Sequence, residues 1–98
     1  LPARRPGSRH VFHQYVIRVA DRPAVQERLR EAGIGTNVHY PVPVHLQPAY
    51  KDRTWLVGGR LPETERAAAE VLSLPMYPQL SDEQVGMVIE TARQVLKR

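Results

Sequence analysis

Apolar residues fall into short runs along the chain, separated by polar breaks that mark element ends. His10 to Val19 is rich in β-branched and aromatic side chains, the composition of a pleated, half-buried strand. Its apolar positions alternate imperfectly, which predicts a central strand with both faces partly covered. Asp21 then offers an N-cap, and Pro23 fits the first helical turn, where a missing N–H costs nothing. A helix is expected from Arg22 to Ala32, with Val25, Leu29 and Ala32 along one side. Gly33 stands where a left-handed residue closes such a helix.

Ile34 to Val38 reads as a short second strand. From His39 to Gly59 the periodicity is lost, and the segment reads as loop with one helical turn around Leu46 to Tyr50. A stretch of that length without regular structure is uncommon in a compact domain unless it has a task. Leu61-Pro62-Glu63-Thr64-Glu65 opens a second helix, which Ala67, Ala68, Ala69, Val71 and Leu72 carry onward. Ser73 to Met76 is a short extended piece that Pro75 confines to a sheet edge or strand end. Ser81 and Gln84 match a capping box ahead of a last helix. Its apolar stripe is Val85, Val88, Ile89, Ala92, Val95 and Leu96.

This order predicts an α+β fold, a small few-stranded sheet covered by helices. The expected core is Val16, Ile17, Leu29, Ile34, Val38, Leu72, Leu74, Val88, Ile89 and Leu96. Residues 1–9, basic and containing proline and glycine, read as a linker or as a segment of a preceding domain, and 10–98 as one small domain. The 98 residues suit one domain near the lower limit for burying its own core. Leu1 in place of methionine, with that ragged basic opening, suggests a segment of a longer protein or a processed product.

Composition changes this picture only in places. At 42% hydrophobic residues the chain is ordinary for an ordered globular protein. Its apolar runs are far too short to span a bilayer and no signal-peptide pattern opens it, so no membrane association and a cytoplasmic setting are expected. With no cysteine, disulfides and thiolate metal sites are excluded. The net charge is +4, but the arginines are spread from Arg4 to Arg98 instead of forming a stripe, which argues against nucleic acid.

The chemistry is concentrated between Gly33 and Tyr50. That stretch sets His39, Tyr40, His45, Gln47 and Tyr50 on a backbone stiffened by Pro41, Pro43 and Pro48. Imidazole, phenol and carboxamide groups bind hydroxyls and carbonyls directionally, and proline lowers the entropy lost in holding them ready. A sugar or another polyhydroxylated ligand fits this inventory. A metal fits less well, since His39 and His45 are separated by two prolines and no carboxylate is nearer than Asp52. Ser73 and Ser81 sit in structural contexts without a nucleophile elbow, and Gly58-Gly59 lacks a phosphate-loop frame. His10 and His13 read as structural strand residues, Tyr15 and Tyr77 as core or interface aromatics, and Trp55 as a loop cap or a subunit contact.

As a set, these segments resemble the DegT/DnrJ/EryC1/StrS family of sugar aminotransferases. The resemblance rests on His10 to Arg18, Gly33-Ile34-Gly35-Thr36, His39-Tyr40-Pro41 and His45 to Tyr50. It continues through Leu61 to Glu65, Leu72 to Pro78 and Leu80 to Val85, in order and at matching spacing. It implies the small C-terminal domain of an aspartate-aminotransferase fold and a homodimeric enzyme. Such an enzyme moves an amino group from an amino acid, usually glutamate, to a nucleotide-linked keto sugar. It also implies pyridoxal phosphate held by a lysine of a separate large domain, because neither Lys51 nor Lys97 has that lysine's context. The segment alone is then expected to be inactive and to bind no cofactor, and to expose apolar surface that favours self-association. The form His39-Tyr40-Pro41-Val42-Pro43 with His45-Leu46-Gln47 looks most like members acting on dTDP-3-keto-6-deoxyhexoses. His39 is then the residue at the sugar, with Tyr40, His45 and Gln47 shaping or lining the entrance, or with Tyr40 and His45 bracing the loop. The competing reading is a stand-alone basic binding or regulatory module without catalysis.

Overall fold

A computed structural model describes residues 3–50 and 60–97, so the readings for Lys51, Asp52, Trp55 and Gly58-Gly59 lie outside the described residues. Strand β1, Tyr15–Arg18, pairs antiparallel with β2, Val71–Leu74. The register sets Tyr15 against Leu74, Val16 against Ser73 and Ile17 against Leu72. Three helices accompany this ribbon: α1, Arg22–Glu31, α2, Pro62–Glu70, and α3, Asp82–Leu96. A single 3₁₀ turn spans Val44–Leu46.

Strand β1 is shorter than expected, β2 has the expected length but lies two residues earlier, and β2 rather than β1 is the central one. His10 to Gln14 does not join the sheet. Phe12 has φ of 46° and gives its N–H to Nδ1 of His10 at 2.8 Å, a local turn that extended pairing cannot accommodate. Ile34 to Val38 contributes one bridge, Asn37 to Ser73, on the far side of β2. The second helix stops at Glu70 instead of absorbing Val71 and Leu72. Leu72, fully buried opposite Ile17, gains more from the sheet than from one more helical turn. Arg22 stabilises this exit by donating to the carbonyls of Ala68 and Val71. The helical turn also lies earlier than expected, at Val44–Leu46 rather than Leu46 to Tyr50.

Local signals set the helix ends as read. The Asp21 carboxylate accepts from the Ala24 N–H, and Ser81 and Gln84 form a reciprocal capping box. Gly33, at φ 80°, closes α1, and the Ile34 N–H returns to the Leu29 carbonyl at 2.8 Å. This turn drives Ile34 into the core.

That core is formed by Ile17, Val19, Val25, Leu29, Ile34, Leu72 and Val95, with Tyr15, Val38, Leu74 and Val88 packed at its margin. Three expected members are displaced. Val16 is half-buried, and alternation along β1 turns it to the face opposite Ile17. Ile89 and Leu96 remain 45% and 41% exposed. Helix α3 carries a wider apolar stripe than its neighbours cover, so Ala92 and Val95 turn inward while Val85, Ile89 and Leu96 form an uncovered flank. Among the described residues no helix is long and apolar enough to cross a membrane.

Candidate ligand cleft

Strand pairing places the one polar side chain of β2. Because Ile17 and Leu72 face the helices, the paired Val16 and Ser73 face the other way. Ser73 is nevertheless 6% exposed, because the chain after α1 lies over it. Its N–H donates to the Asn37 carbonyl at 2.8 Å and its carbonyl accepts from the Asn37 N–H at 3.2 Å. Two residues further on, Nδ1 of His39 lies 2.9 Å from Oγ of Ser73.

These contacts form one side of a partly open cavity of about 190 Å³. It is lined by the polar residues Gln14, Thr36, Asn37 and His39, with buried Ser73 behind them, and by the apolar Leu74, Pro75 and Met76. Oγ1 of Thr36 accepts from Nε2 of Gln26 at 3.4 Å, which ties the rim to α1. A mixed wall of this kind suits a ligand with hydroxyl or carbonyl oxygens on a carbon ring.

Of the four residues expected at a site, His39 lines the cleft. Tyr40 follows through a cis peptide bond, with its ring edge-on to the imidazole at 5.5 Å and 73% of its surface exposed. His45 is turned elsewhere. It is buried, and its Nε2 lies 3.2 Å from Oε1 of Glu65 near the start of α2. Glu65 also accepts from Arg60 at 2.8 Å and from the Leu61 N–H at 3.0 Å. The Arg60 guanidinium first, then His45 and the Leu61 amide, hold its carboxyl down at about 2. An ionised carboxylate only accepts, so Nε2 of His45 carries the hydrogen in this bond. Gln47 closes the 3₁₀ turn, donating its N–H to the Val44 carbonyl at 3.1 Å. Neither His45 nor Gln47 reaches the cleft.

Sequence reasoning missed the residues beneath His39. A lone serine before Leu-Pro gives no signal of its own; only the β1–β2 register brings Ser73 under the imidazole. The described residues do not fit a cofactor anchor either. Their one lysine, Lys97, is exposed at the end of α3 and takes no part in the cleft.

Together these features define a small α+β lobe with one polar wall along its cleft. The chain belongs to the DegT/DnrJ/EryC1/StrS aminotransferase family, which it matches over residues 1–93. It is 49% identical to a pleiotropic regulatory protein of Geobacillus stearothermophilus, over 91% of this chain and 24% of that one. It is 41% identical to the dTDP-3-amino-3,4,6-trideoxy-alpha-D-glucose transaminase of Micromonospora megalomicea, over 98% of this chain and 26% of the relative. The solved structure of DesV from S. venezuelae, in complex with a ketimine intermediate, superimposes with a TM-score of 0.90 at 40% identity. That match covers all of this chain and 26% of DesV. The chain therefore spans about a quarter of the length of its relatives. Solved family members carry the pyridoxamine form of the cofactor.

Proposed function

We propose that residues 10–98 are the small C-terminal domain of a pyridoxal-phosphate-dependent aminotransferase acting on a nucleotide-linked keto sugar. The amino donor is an amino acid, glutamate by preference, and the acceptor a dTDP-3-keto-6-deoxyhexose. The working enzyme is a cytoplasmic homodimer. The cofactor and the lysine that holds it belong to protein outside this chain, and residues 1–9 link the two parts.

The observation that carries this reading is the placement of His39. Its ring is pinned on one side by Ser73 and lines a cleft whose other polar groups, Gln14, Thr36 and Asn37, suit sugar oxygens. His39 binds and orients the sugar near the reacting carbon, and Tyr40, edge-on to its ring, shapes the entrance. His45 braces the loop through Glu65.

The test is the visible absorption of the full-length protein before and after glutamate. A cofactor band that converts to the pyridoxamine form supports the reading. His39→Ala should then lower kcat/KM for the keto sugar by roughly tenfold, the value of a directed hydrogen bond.

A second reading has a specific observation behind it. Arg4, Arg5 and Arg9 line a concavity of about 510 Å³ beside Phe12, and Arg4 lies 5.6 Å over the Phe12 ring. These arginines have no carboxylate partner among the described residues. A basic binding or regulatory module uses such a surface, and the Geobacillus relative bears a regulator's name. A colourless full-length protein that takes up no cofactor would favour that reading.

A further inference from the structure

We infer that Ser73 is a positioning residue that fixes the imidazole of His39 as its Nε2–H tautomer, and so makes His39 a hydrogen-bond donor to the ligand. The inference rests on the reading above that His39 faces the ligand.

The argument is an accounting of hydrogens. The backbone N–H and carbonyl of Ser73 are both used by Asn37. Its hydroxyl has one hydrogen to place, and the residue is too buried for water to take that hydrogen freely. Among the described residues the partner of Oγ is Nδ1 of His39, at 2.9 Å. Donation from Oγ–H to Nδ1 satisfies the serine and occupies the lone pair of that nitrogen. The ring proton then sits on Nε2, the nitrogen left for the cleft. The alternatives each put an N–H of the ring against Oγ and leave the buried hydroxyl hydrogen without an acceptor. The tautomer is thus assigned from the hydrogen-bond network.

The arrangement is rigid where it needs to be. Ser73 lies on the central strand, and Asn37, two residues before His39, is held to the same serine by two backbone bonds. The imidazole is therefore located relative to β2 from both directions. A carbonyl oxygen accepts and never donates. An Nδ1–H ring would offer it a lone pair from Nε2, whereas the Nε2–H ring offers a proton. Ser73 thus makes the cleft selective for an oxygen acceptor at the position facing His39.

The test uses the full-length protein with ¹⁵N-histidine and the keto sugar as substrate. The ¹⁵N shifts of the His39 ring should report Nε2–H in the wild type and a mixture with Nδ1–H in Ser73→Ala. Ser73→Ala should lower kcat/KM roughly fivefold to tenfold. In a His39→Ala background the same change should cost under about twofold, since its effect travels through the ring. Ser73→Thr, which keeps the hydroxyl, should restore both the shifts and most of the rate. Thermal melting of each variant separates misfolding from these effects. An Nδ1–H ring in the wild type, or equal losses from Ser73→Ala with and without His39, would overturn the inference while leaving the role of His39 intact. A His39→Ala enzyme with undiminished kcat/KM would remove both.

Discussion

The two leucine-sized residues Leu72 and Ile89 were both expected in the core, and the structure separates them. Leu72 on β2 has no exposed surface and faces Ile17, whereas Ile89 on α3 is 45% exposed. Replacing Leu72 by alanine removes three carbons, worth about 2.4 kcal/mol at about 0.8 kcal/mol per methylene. The cavity left behind raises the cost to about 3–4 kcal/mol, because the central strand cannot move inward without breaking its pairing with β1. Ile89→Ala gives up only the half of its surface that is covered and should cost about 1.3 kcal/mol. Urea unfolding of the 98-residue chain, followed by far-UV circular dichroism, measures both. With a slope of about 1 kcal/mol/M, Leu72→Ala should lower the midpoint by about 3–4 M and Ile89→Ala by about 1 M. Equal shifts for the two variants would refute the assignment of the core, and with it the view that α3 leaves one flank uncovered.

Ser81→Ala should cost about 1 kcal/mol by removing the capping box of α3, read as a lower midpoint in thermal melting. Gly33→Ala should cost a similar amount, about 1 kcal/mol. The nearest side-chain atom, Cε of Met87, would lie 4.0 Å from the added carbon, so the penalty is one of φ alone, and Gly33→Asn should recover part of it. The Glu65 carboxyl is depressed from 4.5 to about 2, so its contribution is complete above pH 4.5 and is lost as the pH falls through about 2. The protection factor of the Leu61 amide, which is its exchange corrected for the intrinsic rate at each pH, should therefore fall over that acid range in the wild type, and Glu65→Gln should remove this fall.

The helix boundaries were legible because their signals are local: Asp21, Gly33 and Ser81 act within a turn of themselves. The strands were not, because strand identity depends on a partner remote in sequence. Val71 and Leu72 continue a good helical pattern, and only Ile17, more than fifty residues earlier, claims them for the sheet. His10 to Gln14 has the composition of a strand and no partner. The site divides in the same way. His39 was visible as a polar residue on a proline-stiffened loop, while Ser73 emerged only from the register. His45 reads in sequence as either an entrance residue or a brace for the loop, and its buried contact with Glu65 is a bracing one.

The clasp between His45 and Glu65 has a bearing on how sequences of this type can diversify. It joins positions twenty residues apart and is reinforced by Arg60 and the Leu61 amide, so it closes the chain between them into a loop. Lengthening such a loop is cheap, since doubling it adds only about 0.6 kcal/mol of closure entropy. Insertions between Tyr50 and Arg60 lie outside the segments that pair Asn37 with Ser73 and seat His39. Directed libraries that lengthen the chain there should hold constant His45, Arg60, Leu61 and Glu65, which make the clasp, together with Leu72 and Ser73.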